Sequence, residues 1–326
     1  MVRLVRRLWV AGLAAVLATA TVAAGAYVLP ARPLRIVVPA AAGGNLDLVS
    51  RHLAQKLSEQ LGQPVVVENR PGGNYMLAVD AVARAPADGT TYLAIADSFL
   101  YTPTVAPTAT YDPLGDFLGV SLVARVPLLL VTHPAVPVAS AAHLIALAKD
   151  RPGELTYGTS GNGSTGHIAA ELFGSMARIR MTHVPYKGNA PALIDVMGGR
   201  TTLMFDTVST SLAHVKAGRL KALGVTSRTR SPLLPELPTV DESGLPGYES
   251  TIFNGLAARS GTPPAMLERM NAEIRKAVQQ PDFRAQMLQQ GIELEASVSP
   301  AEFAVTLKTQ SDRYARLIKD AGIRAD

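Results

Sequence analysis

Two stretches of this chain combine small residues, hydroxyls and glycine in a way that suits holding an anion. The first is Pro39-Ala40-Ala41-Ala42-Gly43-Gly44-Asn45-Leu46-Asp47, which follows the apolar run Leu34-Arg35-Ile36-Val37-Val38 and precedes a helical pattern. A loop of small residues running into a helix start exposes backbone N–H groups, and the helix dipole adds partial positive charge there. With nothing bulky over the backbone, an anionic group can approach closely. The plain alternative is a tight turn in which Asn45 or Asp47 merely caps the helix. The second stretch, Tyr157-Gly158-Thr159-Ser160-Gly161-Asn162-Gly163-Ser164-Thr165-Gly166-His167, has the same setting and four serine and threonine hydroxyls. Hydroxyls and free amides are good partners for carboxylate oxygens. One such loop in each half of the chain suits a cleft that grips a ligand from both sides.

Other chemistries find less support. Gly161, Gly163 and Gly166 spell G-x-G-x-x-G, yet the motif lies mid-chain. No acidic residue ends a following strand at the expected distance of about 20 residues. A dinucleotide is therefore not expected, nor any other cofactor. In His183-Val184-Pro185-Tyr186-Lys187-Gly188-Asn189, Tyr186 could donate a hydrogen bond and Lys187 could neutralise an anion. Equally, Lys187 could be solvated and Tyr186 packed at a strand end. Asp206, closing Leu203-Met204-Phe205-Asp206, could face a cleft or cap a loop. A G-x-S-x-G elbow is missing and the chain has no cysteine, so neither common nucleophile is in place. The histidines at 52, 133, 143, 167, 183 and 214 have no metal-ligand spacing. No pair of carboxylates is marked out for acid–base work, and an enzyme is not expected.

The elements that must position these loops alternate short β-type runs with helical patterns, the signature of helix-covered, largely parallel sheets. Strands are predicted at Leu34–Pro39, Pro64–Glu68, Thr90–Ala96, Leu128–His133, Leu155–Gly158, Met181–Pro185, Thr202–Phe205 and Leu220–Thr226. Leu46, Val49, Leu53, Leu57 and Leu61 step by three or four, giving one buried helical stripe, with Gly62 placed as its C-cap. Further helices are predicted at Ser140–Lys149, Gly166–Ala177 and Pro264–Gln279. A last helix opens at Ser299-Pro300-Ala301-Glu302, a capping box with proline in the first turn. The expected architecture is two α/β lobes that share the chain by crossing over, with hinges near Ala124–Pro127 and Tyr248–Phe253. Residues 27–126 plus 250–326 would form one lobe and 127–249 the other.

The N-terminus bears on compartment. Arg3, Arg6 and Arg7 precede an apolar run from Leu8 through Ala24, ending Ala24-Gly25-Ala26. That order describes a secretory signal over 1–26, cleaved before Tyr27, rather than an uncleaved anchor. Without those residues, 28 basic side chains face 26 acidic ones, too even a balance to indicate nucleic acid. Export without any cysteine excludes both a disulfide framework and a lipid-anchored N-terminal Cys, so the periplasm is expected.

Taken in order, several further stretches carry a resemblance that spans nearly the whole mature chain. They are Arg32 to Pro39, Gly43-Gly44 with Asp47 and Arg51, Leu61 to Gly72, Asp88-Gly89 and Tyr111-Asp112-Pro113. The series continues with Gly161-Asn162-Gly163-Ser164, His183 to Gly188, Leu203 to Asp206, Leu237-Pro238-Thr239-Val240 and Gly244-Leu245-Pro246-Gly247-Tyr248. Together they resemble the Bug family, the substrate-binding proteins of tripartite tricarboxylate transporters. The resemblance implies a Venus-flytrap binding protein of type II with a mixed β-sheet in each lobe, working as a monomer. It implies a small organic carboxylate held between the lobes by Ala40, Ala41, Ala42, Gly43, Gly44 and Asn45 on one side. Ser160, Gly161, Asn162, Gly163, Ser164 and Thr165 would hold it on the other. It also lifts Tyr186, Lys187 and Asp206 to cleft candidates, and implies delivery to a membrane permease or a sensor protein. A periplasmic hydrolase or isomerase on the same scaffold is the alternative.

The chain departs from the family at three places. Ala40, Ala41 and Ala42 replace an aromatic residue and prolines before the double glycine. Gly73, Asn74, Tyr75 and Met76 follow Gly72 where small residues are usual. Asp97-Ser98-Phe99 stands where a Gly/Thr/Ser loop is common. If Asp97 faces the cleft, it would select a ligand bearing an amine or hydroxyl besides its carboxylate; the alternative is a cap on the following segment.

Overall fold

The computed structural model describes residues 32–73, 75–106 and 108–324. The signal peptide expected over residues 1–26 lies outside the described residues. Among the described residues no helix is long and apolar enough to cross a membrane.

Strand β1 (Leu34–Val38) pairs in parallel with β2 (Val65–Asn69) and β3 (Thr91–Ala96). The sheet then turns antiparallel, through β9 (Thr251–Arg259), to β4 (Phe117–Thr132). Residues 117–127 of β4 pair with β9. Residues 128–132 of the same strand pair antiparallel with β7 (Leu203–Thr207) and β8 (Lys221–Val225). Beyond β7 lie β5 (Thr156–Thr159) and β6 (Thr182–Pro185), parallel to each other. A two-residue β10 (Glu293–Leu294) adds to β4. Each lobe thus has a mixed sheet, and β4 belongs to both.

Each sheet is covered on two faces, and strand periodicity divides the residues between them. In the first lobe Leu34, Ile36 and Val38 of β1 pack on helices α1 (Asn45–Leu61), α8 (Pro264–Val278) and α9 (Pro281–Gln289). Val37, pointing the other way, joins the cluster under α2 (Met76–Ala83), α3 (Asp97–Val105) and α10 (Pro300–Ala321). In the second lobe Leu128 and Leu130 meet α4 (Ala141–Asp150) and α5 (Thr165–Ala177). Leu129 and Val131 meet α6 (Asn189–Met197) and α7 (Val208–Lys216). A fifth cluster joins the lobes, with Tyr101 and Val105 of α3 and Leu317 and Ile318 of α10 closing on Ile168 of α5.

Local signals behave as their physics dictates. Gly62 takes a left-handed φ of 65° and returns its N–H to the Ser58 carbonyl at 3.0 Å. Ser299 accepts from the Glu302 N–H at 3.2 Å. Glu302 reaches back to the N–H of Val298, one residue before the cap.

Several elements differ from expectation, among them β9, which the sequence did not mark as a strand. The strand expected to begin at Leu128 begins at Phe117; register shifts at Gly119/Ser121 and Leu122/Ala124 break the regular alternation that marks a strand. Residues 97–105 form a helix rather than a loop, despite Pro103 within it.

Candidate functional site

Strand register places the loops. Val37 lies opposite Leu93, which brings Ala40 level with Ala96; Ala96 lies opposite Asn254 of β9, and Asn254 opposite Ala124 of β4. In the other lobe Gly158 lies opposite Val184 and Met204, which brings Ser160 level with Tyr186 and Asp206. Asp206 lies opposite Leu129 of β4. The C-terminal ends of the parallel strands in both lobes therefore converge on the middle of β4. Ligands of open α/β sheets sit beyond carboxyl ends of this kind.

The first-lobe loop is held from behind. Gly43, at φ 90°, donates its N–H to Asp47 Oδ2 at 2.9 Å. The same carboxylate accepts from Arg51 Nε at 3.0 Å and, through Oδ1, from Asn69 Nδ2 at 2.8 Å. Asn69 Nδ2 also reaches the Ala40 carbonyl at 3.0 Å. Burial raises the Asp47 pKa, but the bonds from Arg51, Gly43 and Asn69 outweigh it and hold the carboxyl below its ordinary range. Asp47 is only 2% exposed and fully used in this clamp, so its bonds serve the loop rather than face outward. Ala41, Ala42, Gly43 and Gly44 are exposed, and Gly44 caps α1 with no side-chain hydrogen bond.

The second-lobe loop is half-buried and held from within. Thr159 Oγ1 accepts from the Gly161 N–H at 3.2 Å, and the Gly163 N–H bonds His167 Nδ1 at 3.1 Å. Ser164 caps α5 by accepting from the His167 N–H at 3.4 Å. The His167 ring stacks on His183 at 3.9 Å, and His183 stacks on Tyr157 at 5.0 Å. Burial, with the neighbouring His183 adding to it, pushes the His167 pKa down to about 4. The ring is therefore neutral, with an Nδ1 free to accept a hydrogen bond.

Between these loops Asp97, at the first position of α3, is 1% exposed. Its Oδ2 accepts from Thr165 Oγ1 of the opposite lobe at 3.3 Å. Its Oδ1 is buried with no hydrogen-bond partner. Burial pushes its pKa up to about 7, against the pull of bonds from the Ser98 backbone and Thr165. Ser98 Oγ bonds the hydroxyl of Tyr75, a residue in the left-handed region at φ 74°.

Tyr186, Lys187 and Asp206 stand at the same strand ends as the second loop, where the Tyr186 N–H donates to the Thr159 carbonyl at 3.0 Å and the Gly188 N–H to the Ser160 carbonyl at 3.3 Å. The Tyr186 hydroxyl donates to Asp195 Oδ2 at 2.7 Å. Lys187 is exposed. Asp206 is fully buried, its Oδ1 accepting from Asn189 Nδ2 at 2.9 Å and its Oδ2 from the hydroxyls of Thr210 and Ser211. That carboxylate ties the first turn of α7 to the first residue of α6.

Sequence reasoning missed Asn254. Both atoms of its amide are buried without a partner, beside Ala96 and Ala124 where the strand ends converge. A lone amide inside the apolar run Ile252-Phe253-Asn254-Gly255-Leu256 was the available signal.

The comparisons agree with this architecture. The chain matches the family described as "Tripartite tricarboxylate transporter family receptor" over residues 49–323. Protein BugT of Bordetella pertussis is 34% identical over 312 residues, covering 94% of this chain and 95% of that protein. A solved R. palustris protein with adipate is 37% identical, with a TM-score of 0.75 over 90% of this chain and 99% of the other. MatC from Rhodopseudomonas palustris with bound malate is 28% identical, with a TM-score of 0.71 over 89% and 99%. With the family match running through both lobes, from residue 49 to residue 323, the chain belongs to the receptor family of tripartite tricarboxylate transporters.

Proposed function

We propose that this solute-binding protein closes its two lobes on a small organic carboxylate, held by Ala40–Asn45 from one side and Ser160–Thr165 from the other. The observation that carries the reading is the Thr165–Asp97 hydrogen bond, which joins the second glycine-rich loop directly to the end of β3 in the opposite lobe. Adipate and malate in two relatives support the ligand class. The exposed amides at the start of α1 supply donors and a favourable dipole to one carboxylate. The lobes divide at residues 27–126 plus 250–326 and 127–249. The change of β4's partners between Pro127 and Leu128 supports that division.

Chemistry on the ligand is not part of the reading. Ser164 spends its hydroxyl on the helix cap, and the nearby His167 ring is turned to the Gly163 amide and stacked on His183. No serine–histidine pair of the kind acyl transfer needs is formed between them. The protein acts in the periplasm, reached through cleavage of residues 1–26, and hands its ligand to a membrane permease or a sensor.

A thermal-shift panel of small carboxylates tests the reading. A ligand at 100 times its dissociation constant stabilises the bound form by about 2.7 kcal/mol. One acid that raises the melting temperature and is recovered unaltered is the expected result. If no acid shifts it, or the acid returns chemically changed, receptor binding at this cleft is wrong.

A further inference from the structure

Among the described residues, Asp97 has an acceptor that no donor meets. Its Oδ1 is buried and unpartnered, while Oδ2 takes the long bond from Thr165 across the lobe junction. Three buried or half-buried tyrosines surround it: Tyr75 after β2, Tyr101 on α3 and Tyr314 on α10. Tyr75 is bonded to Ser98, and the Tyr101 hydroxyl is itself buried without a partner. No basic side chain figures among the groups acting on Asp97. A buried carboxylate left with an unused oxygen and no counter-charge is costly. A plain acid sharing its cleft would add like-charge repulsion to that cost.

We infer that Asp97 is a specificity-determining residue whose free Oδ1 receives an N–H or O–H donor on the ligand, so that the receptor prefers amino- or hydroxycarboxylates over plain ones. The inference rests on the carboxylate reading above. The ligand's carboxylate lies against the exposed amides of the first-lobe loop, and its amine or hydroxyl turns toward the start of α3. Protonation fits this arrangement, because a carboxyl near neutrality gains most from a ligand ammonium that restores its charge. Since Thr165 binds the other oxygen, filling Oδ1 also fixes the carboxylate plane and with it the inter-lobe bond.

The test is titration calorimetry with succinate, malate and aspartate, three acids on one carbon skeleton, against the wild type, Asp97→Asn, Asp97→Ala and Thr165→Val. In the wild type malate or aspartate binds at least about tenfold more tightly than succinate, the worth of one charge-assisted hydrogen bond. Asp97→Ala erases that preference and, because it also removes the inter-lobe bond, weakens succinate about as much as Thr165→Val does while weakening malate and aspartate further. Thr165→Val, which removes the inter-lobe bond and keeps Asp97, weakens all three alike. Should Asp97→Ala fail to fold, Asp97→Asn carries the same comparison. A preference that survives loss of Asp97, or a uniform loss matching that of Thr165→Val, overturns the inference and leaves Asp97 a lobe-closing contact. Carboxylate binding of any kind keeps the receptor reading intact in that event. Absence of binding by every acid in the wild type would end both.

Discussion

The two glycine-rich loops have the same place in their lobes and are held by different chemistry. Ala40–Asn45 is exposed over Ala41–Gly44 and clamped from behind by the Asp47 carboxylate with Arg51 and Asn69. Ser160–Thr165 is half-buried and tied from inside by a hydroxyl and a neutral imidazole. Equivalent loops thus need not share residues, only a rigid supply of donors. The buried Asp47 carboxylate can do this because three donors satisfy it, one of them a half-exposed guanidinium, whereas the second loop relies on neutral partners.

Removing each clamp probes the contrast. Asp47→Ala leaves the half-buried Asn69 amide, the Gly43 N–H and Arg51 without their shared acceptor, and should cost ~3 kcal/mol by urea unfolding along with most of the ligand affinity. A loss under 1 kcal/mol would mean that the first loop is held by its backbone alone.

Acid should release the loops in sequence. Free histidine titrates near 6.5, and His167 does so at about 4 in the fold. Between those values the unfolded chain holds the extra proton. The stability His167 contributes is therefore complete above pH 6.5 and lost as pH falls toward 4, by up to about 3 kcal/mol. Asp47, lowered below 3.8, keeps its contribution until the pH drops further. Asp97, raised to about 7, works in the opposite sense, favouring the fold as pH falls below that value. The difference in unfolding free energy between wild type and His167→Gln from pH 7 to 4 isolates the imidazole. A flat difference would remove the contrast in titration.

Glycine-to-alanine changes separate the loops further. A Cβ on Gly166 would stand 2.9 Å from the Phe205 carbonyl, so α5 must move off β7, costing ~2 kcal/mol. At Gly43 the space is open and only its φ of 90° resists, costing about 1 kcal/mol. Equal melting temperatures for the two variants would refute this ordering. Lys187→Ala, on an exposed side chain, should stay within about 0.5 kcal/mol in stability by urea unfolding.

Much of this was legible in the sequence because local rules carried it. The stripe from Leu46 to Leu57, the Gly62 cap and the Ser299 capping box depend on neighbours three or four residues apart. Both loops were marked by small residues between a strand and a helix. What escaped depends on partners distant in the chain. Helix α3 forms around a proline because Phe99, Leu100 and Tyr101 are buried by α10 and neighbouring strands. Asp206 and Tyr186, plausible cleft residues by position, are engaged by Asn189, Thr210, Ser211 and Asp195, pairings no spacing announces. Asn254 gave a signal only as an oddity within a strand that had not been recognised.

Strand β9 pairs with β3 on one side and β4 on the other, yet starts at Thr251, long after β4 ends at Thr132. The entire second lobe is made between them. A chain emerging from its N-terminus must therefore carry two open strand edges until the last quarter arrives, and it pays the closure entropy of a very long loop when β9 docks. The inserted lobe, whose strands pair among themselves and with the end of β4, has everything it needs to form first. Folding order is thereby written into the connectivity. The second lobe acts as the template that brings the two ends of the first together, and a chain cut before Thr251 should retain the insert while leaving β1, β2 and β3 without their central partner.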